Sequence, residues 1–189
     1  MVVDNKELDP EEWVDLHGDY LYRYALLKVR NTDVSEDLVQ DTLMAGIKSK
    51  ERFSGKSSVR TWLTGILKHK IIDYLRTSYR EQPISELEIG DKTSEQLFDE
   101  LEHWKKGVGN WESSPQKLAE QGEFVDAISV CLSKLPDRLA QAFSLRVIDG
   151  MSTKEVCKII NVSSTNINVM LHRARLGLRQ CLEVNWFDK

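Results

Sequence analysis

Nothing in this chain approaches the roughly 20 consecutive apolar residues that a membrane-spanning helix needs, so no membrane insertion is expected. The N-terminus, MVVDNKELDPEEW, is acidic and lacks the basic and apolar stretches of a signal peptide, which points to the cytosol. Cysteine is scarce. Cys131, Cys157 and Cys181 stand 26 and 24 residues apart, with no C-x-x-C pair and no His/Cys cluster, which argues against a zinc site. Cys157 falls on the apolar side of a helix and reads as a small buried side chain. Cys181 is a candidate thiol sensor, but nothing beside it in the sequence singles it out. There is no Gly-rich phosphate loop and no metal set, and His17, His69 and Asp73 show no catalytic spacing. An enzyme is therefore the remotest reading, and no cofactor is expected. No segment alternates with period two, and no repeat or low-complexity tract is present.

What remains is helical and heavily charged. Of 189 residues, 41% are hydrophobic and 30% charged, enough for one large domain or two small, well-solvated ones. The net charge of −4 alone argues against nucleic acid, but the way the charge is distributed points toward it. Residues 1–80 are neutral, residues 81–126 carry 4 Lys/Arg against 12 Asp/Glu, and residues 127–189 carry 9 against 5. Within the first block, residues 46–80 hold 9 basic residues against Glu51 and Asp73. A local excess of that size suits a phosphate backbone, although a charge run by itself is more often a solvated face.

The apolar spacing predicts a helix over 11–30, with Trp13, Leu16, Tyr20, Leu21, Tyr24, Leu27 and Lys28 on its stripe. Asn31-Thr32-Asp33 breaks it, and a second helix is expected from Ser35, as cap, to about Lys50. Residues 53–58 read as a loop. A third helix follows to Tyr79, with Leu63, Leu67, Ile71 and Tyr74 inward and Trp62, His69, Asp73 and Arg76 along a flank. Residues 83–121, acidic and bearing Gly90, Gly107, Gly109 and Pro115, read as a flexible linker, with one amphipathic turn near Leu97–Trp104. Trp104 and Trp111 either anchor that linker elsewhere or fold back onto a domain. Helices over 123–135 and 137–150 come next, split at Leu135-Pro136-Asp137.

Residues 151–182 carry the most information. Two short helices meet at Asn161, a residue type tolerant of positive φ, and Ser163-Ser164 supplies an N-cap oxygen for the second. On that second helix Ile167, Met170, Leu171 and Ala174 form a stripe for burial, as Val156, Ile159 and Ile160 do on the first. Thr165, Asn168, Val169, His172 and Arg173 point the other way. This is the pattern of a helix-turn-helix, whose second helix enters the DNA major groove. Two core helices of an ordinary bundle fit the motif about as well.

The order of the parts separates these readings. Glu36-Asp37-Leu38-Val39-Gln40-Asp41-Thr42-Leu43, then Phe53-Ser54-Gly55, Thr61-Trp62-Leu63 and Ile72-Asp73-Tyr74-Leu75-Arg76, resembles the first conserved domain of bacterial RNA polymerase sigma factors. Leu135-Pro136, Glu155-Val156 and Leu171-His172-Arg173-Ala174-Arg175 resembles the second domain of the extracytoplasmic-function (ECF) class, at the right distance. The resemblance covers about residues 15–80 and 123–183. It implies an all-α protein of two small helical domains: 1–82 for core polymerase binding and minus-ten recognition and melting, and 122–189 for minus-thirty-five recognition. An acidic linker over 83–121 joins them.

It further implies that Asp37, Leu38, Val39, Gln40 and Asp41 dock on core RNA polymerase, beside the ordinary reading of helix N-terminal acidity. Lys56, Ser57, Arg60, Trp62, His69 and Arg76 would meet minus-ten DNA, basic groups holding phosphates while unpaired bases are captured. Trp62 is equally well explained as a core residue. Ser164, Thr165, Asn166, Asn168, Val169, His172 and Arg173 would face the minus-thirty-five element, with Asn168 suited by its amide to adenine. The chain departs from the class at Asn168 and Met170, where a basic residue is usual, so its promoter sequence and phosphate attraction should differ. The implied function is an alternative sigma factor that directs core polymerase to specific promoters, with an anti-sigma factor as a further partner. The rival is a sigma-like mimic or other helix-turn-helix regulator acting through protein binding; a mimic would lack the basic loop and flank at 53–80.

Overall fold

The computed structural model describes residues 9–81 and 122–187, and all described elements are helical. The linker residues, Trp104 and Trp111 among them, lie outside the described residues. The chain divides into two compact units, Met1–Glu81 and Gln82–Lys189.

In the first unit, α1 (Trp13–Val29), α2 (Thr32–Ser49) and α3 (Val59–Glu81) pack pairwise around one core. The first helix closes on Arg30 in the left-handed region, φ 61°, whose N–H reaches back to Leu26 O. Asn31 then caps α2 directly, its Oδ1 accepting the Val34 N–H at 3.0 Å. Ser35 is therefore not the cap. It is fully buried one turn inside the helix, with its hydroxyl donating to Asn31 O at 2.6 Å. A three-helix bundle leaves each helix one inward stripe, and here the stripe differs from the one the sequence suggests. On α1 it runs Trp13, His17, Leu21, Ala25, Lys28, while Leu16 and Tyr20 are exposed. On α3 it ends on Leu75 and Tyr79 rather than Tyr74. Gly46 of α2 lets the helices close: a Cβ there would stand 2.7 Å from Leu63 Cδ2 and 3.0 Å from Trp13 Cζ3.

In the second unit, α4 (Gly122–Ser133) and α5 (Asp137–Phe143) are separated by the turn at Leu135-Pro136. A π turn, Ser144–Ile148, and Gly150 at φ 69° lead to α6 (Thr153–Ile160). A reciprocal capping box opens α6, with Ser152 and Glu155 each accepting the other's backbone N–H. The helix stops at Asn161, φ 59°, where the left-handed residue expected from the sequence is found. Then α7 (Ser164–Leu182) starts, capped by Ser163 Oγ on the Asn166 N–H at 3.2 Å. Ile167, Met170, Leu171 and Ala174 are buried with Val156, Ile159 and Ile160, which is the helix-turn-helix core. At the far end of α7, Gly177 closes on Leu135, whose Cδ2 would lie 2.5 Å from a Cβ. Cys131 of α4 and Cys181 of α7 form a disulfide, Cα–Cα 5.6 Å, so Cys181 is not a solitary thiol. Cys157 stays free and is only half-buried, less enclosed than its apolar neighbours suggest.

Candidate nucleic-acid and protein interfaces

The loop before α3 is built for exposure. Gly55 takes φ 67°, a value glycine adopts without strain, and Lys56 and Ser57 stand in solvent. Ser58 opens α3 by accepting the Thr61 N–H at 3.2 Å and sharing a 2.9 Å hydroxyl contact with Thr61. Arg60 is thereby placed on the first turn, its guanidinium 5.0 Å from the Tyr20 ring centroid on α1. Lys68, two turns on, and Lys28 lie 5.8 and 5.2 Å from the Tyr24 ring. An aromatic face holds a cation in place without neutralising it. Tyr20, Arg60, Thr61, Thr64, Gly65 and Lys68 line a cleft of about 380 Å³. Of these, sequence reasoning named only Arg60 as a site residue. The i, i+4, i+8 spacing of Arg60, Thr64 and Lys68 was the available signal, since it stacks three polar side chains on one helix face.

The other flank residues divide. His69 and Arg76 are exposed, with Arg76 3.5 Å from Asp73 Oδ1, an exposed pair that leaves the guanidinium largely available. Trp62 is half-buried between Trp13, edge-on at 5.9 Å, and Phe53, at 5.0 Å. It belongs to a three-ring cluster that ties the loop to the bundle.

On α2, Asp37, Gln40 and Asp41 are exposed, but Leu38 and Val39 are 9% and 8% exposed and belong to the core. Helical period explains the division: 37, 40, 41, 44 and 47 share the outer face, and 38, 39, 42 and 46 the inner one. The apolar part of this outer face is Met44 and Ile47, 54% and 47% exposed. Asp41 also receives a hydrogen-bonded ion pair from Lys70 Nζ at 3.1 Å, which links α2 to α3.

On α7, Ser164, Thr165, Asn168, Val169 and His172 are exposed and Asn166 and Arg173 half-buried. The capped N-terminal turn presents this polar face outward, while the four buried residues lock the helix to α6. The helix thus carries amide, imidazole and guanidinium groups along one side, group types that can hydrogen-bond base edges or phosphates.

Residues 13–81 match the family described as Sigma-70 region 2, and residues 126–178 match Sigma-70, region 4. A "Probable RNA polymerase sigma factor" of Haemophilus influenzae is 37% identical over 84% of this chain and 82% of its own length. The chain belongs to the sigma-70 family of RNA polymerase sigma factors. It is also similar to YlaC of Bacillus subtilis, 27% identical over 88% of this chain and 89% of that one. The ECF sigma factor SigX of the same organism is 29% identical over 90% and 81%. Among solved structures, the sigma factor RpoE of Bartonella quintana, in complex with the anti-sigma factor NepR, aligns over 93% of this chain and 97% of that chain. The identity is 22% and the TM-score 0.43. The function is that of an alternative sigma factor. Region 2 spans α1 to α3 whole, and region 4 spans the helix-turn-helix but stops short of Cys181.

Proposed function

We propose that the first unit docks core RNA polymerase through the outer face of α2 and holds the minus-ten element with the loop at 53–58 and the basic face of α3. The second unit reads the minus-thirty-five element through the exposed side of α7. The observation that carries this reading is the segregation of charge within one small bundle. Acidic Asp37 and Asp41 and apolar Met44 lie on the outer face of α2, while Arg60 and Lys68 of α3 stand over tyrosines. One surface suits a protein partner, the other an anion. No step of catalysis is assigned to the chain, which acts in the cytosol by positioning polymerase, and an anti-sigma factor is its expected regulator.

The docking half has a specific control in the Asp41–Lys70 pair. Asp41→Arg reverses the charge offered to polymerase and also breaks the pair, whereas Lys70→Gln breaks the pair alone. Pull-down of core polymerase should fail with Asp41→Arg and persist with Lys70→Gln. Equal retention of both variants would remove α2 as the docking face.

A further inference from the structure

We infer that Cys131 and Cys181 form a reversible dithiol–disulfide site, oxidised by hydroperoxides, that sets the firmness of the DNA-reading unit. The two cysteines come from α4 and α7 of that unit and close a loop 50 residues apart in sequence. That loop contains α5, α6 and all of the outward face of α7. Their Cα atoms, 5.6 Å apart, lie within the range that a disulfide spans without moving backbone. In a compartment that keeps thiols reduced, a bond of this kind is transient rather than structural.

The surroundings assign the two sulfurs different roles. Cys131 is fully buried, while Cys181 is half-buried and so is the more accessible of the two to a small oxidant. The Asn185 side-chain amide donates to Cys181 O at 2.7 Å and approaches its sulfur at 3.4 Å, so a polar N–H group faces this sulfur. The Cys181 thiolate attacks one peroxide oxygen; the O–O bond breaks, the alkoxide leaves with a proton as alcohol or water, and a sulfenic acid forms. Cys131 sulfur then attacks the sulfenic sulfur. The S–S bond forms, the S–O bond breaks, and hydroxide departs with the Cys131 proton as water. The two thiols lose two electrons together and the peroxide gains them. Cys157 takes no part: it sits on α6, and burial pushes its thiol above the usual cysteine range.

The consequence follows from what remains when the bond opens. Leu132, Leu178 and Leu182 are buried on α4 and α7, which pack together, and Leu135 closes on Gly177, so the reduced unit should stay folded. It loses the covalent restraint on a long loop, which is where a disulfide contributes most. Its link to promoter reading rests on the function proposed above, but its chemistry does not.

The test uses the full chain, treated with hydrogen peroxide or with dithiothreitol, then alkylated and weighed. Peroxide should leave one alkylatable cysteine, Cys157, and reductant three. The melting transition of the second unit should fall on the order of 10 °C on reduction. Cys131→Ser and, separately, Cys181→Ala should melt at the reduced position whatever the treatment. Three labelled cysteines after peroxide would overturn the site, as would linkage between chains through Cys157. A bond surviving excess reduced glutathione would overturn its reversibility. Minus-thirty-five DNA binding, measured in both states, separates the two proposals. Redox-dependent melting without DNA binding sinks the promoter reading alone, and redox-independent melting sinks this one alone.

Discussion

Two glycines of the first unit should respond in opposite directions to the same substitution. Gly46→Ala places a methyl 2.7 Å from Leu63 Cδ2 and 3.0 Å from Trp13 Cζ3, and neither neighbour has room to retreat. Leu63 and Trp13 are 0% and 1% exposed, and Trp13 is also held edge-on by Trp62. Overpacking of this kind costs about 1–3 kcal/mol. Against it stands the helix propensity of alanine, better than glycine by about 1 kcal/mol. The clash should win by up to about 2 kcal/mol, which in a domain of this size lowers the melting point by up to roughly 15 °C.

Gly65→Ala on α3 has no atom within 4 Å of the new methyl, so only the propensity gain remains. It should raise the melting point of the same unit by roughly 4–8 °C. Because Gly65 lines the cleft beside Arg60 and Lys68, the stabilised variant should still lose promoter opening. Far-ultraviolet circular dichroism of the full chain, with tryptophan fluorescence reporting the Trp13–Trp62 contact, measures both. A Gly46→Ala protein melting at or above wild type would refute the claim that the three helices meet at contact distance there.

Leu38→Asp should unfold the first unit rather than merely weaken docking, by about 3 kcal/mol or more, as expected for an unpaired buried charge; loss of helical signal checks this. Lys56→Ala with Arg60→Ala should leave polymerase binding intact and reduce permanganate reactivity of the melted promoter, because both cationic side chains are presented to solvent beside the loop. Asn168→Ala should relax preference at one base pair by about 1–3 kcal/mol, read by selection from a randomised upstream element, and identical logos would remove Asn168 as a reader. The Ser152 hydroxyl and backbone N–H hold the Glu155 carboxyl below its ordinary value of 4.5. A depressed folded value contributes stability above pH 4.5 that is lost as pH falls through the folded value. Glu155→Gln should flatten that acid limb in a melting series below pH 4.5.

Local chemistry made the second unit readable. Asn161 at φ 59° and the Ser163 cap are consequences of residue type within a few positions, as is the buried stripe from Ile167 to Ala174. The Ser152–Glu155 capping box was equally legible as S-x-x-E, though only the structure brought it forward. The pairing of Cys131 with Cys181 was not legible, because bringing two cysteines 50 residues apart together depends on how α4 and α7 pack.

The first unit shows where periodicity stops being informative. On α1 and α2 apolar residues occur on more than one face, so a 3-4 spacing can be threaded through exposed Leu16 and Tyr20 as easily as through buried His17 and Ala25. What selects the inward stripe is the partner: Gly46 admits Trp13 and Leu63, and the exposed residues are left over. The same selection turned Leu38 and Val39 inward and left Met44 and Ile47 outward, altering the apolar half of the proposed docking face but not its acidic half. Charged positions such as Asp37, Asp41 and Arg60 were easier to place, since a charge enters so small a core only against a partner, as Lys28 does beside the Tyr24 ring. The candidate site was therefore legible in its charges before its contours. The contours came from the two tyrosines of α1, residues whose rings sit under Arg60 and Lys68 only once the helices pack.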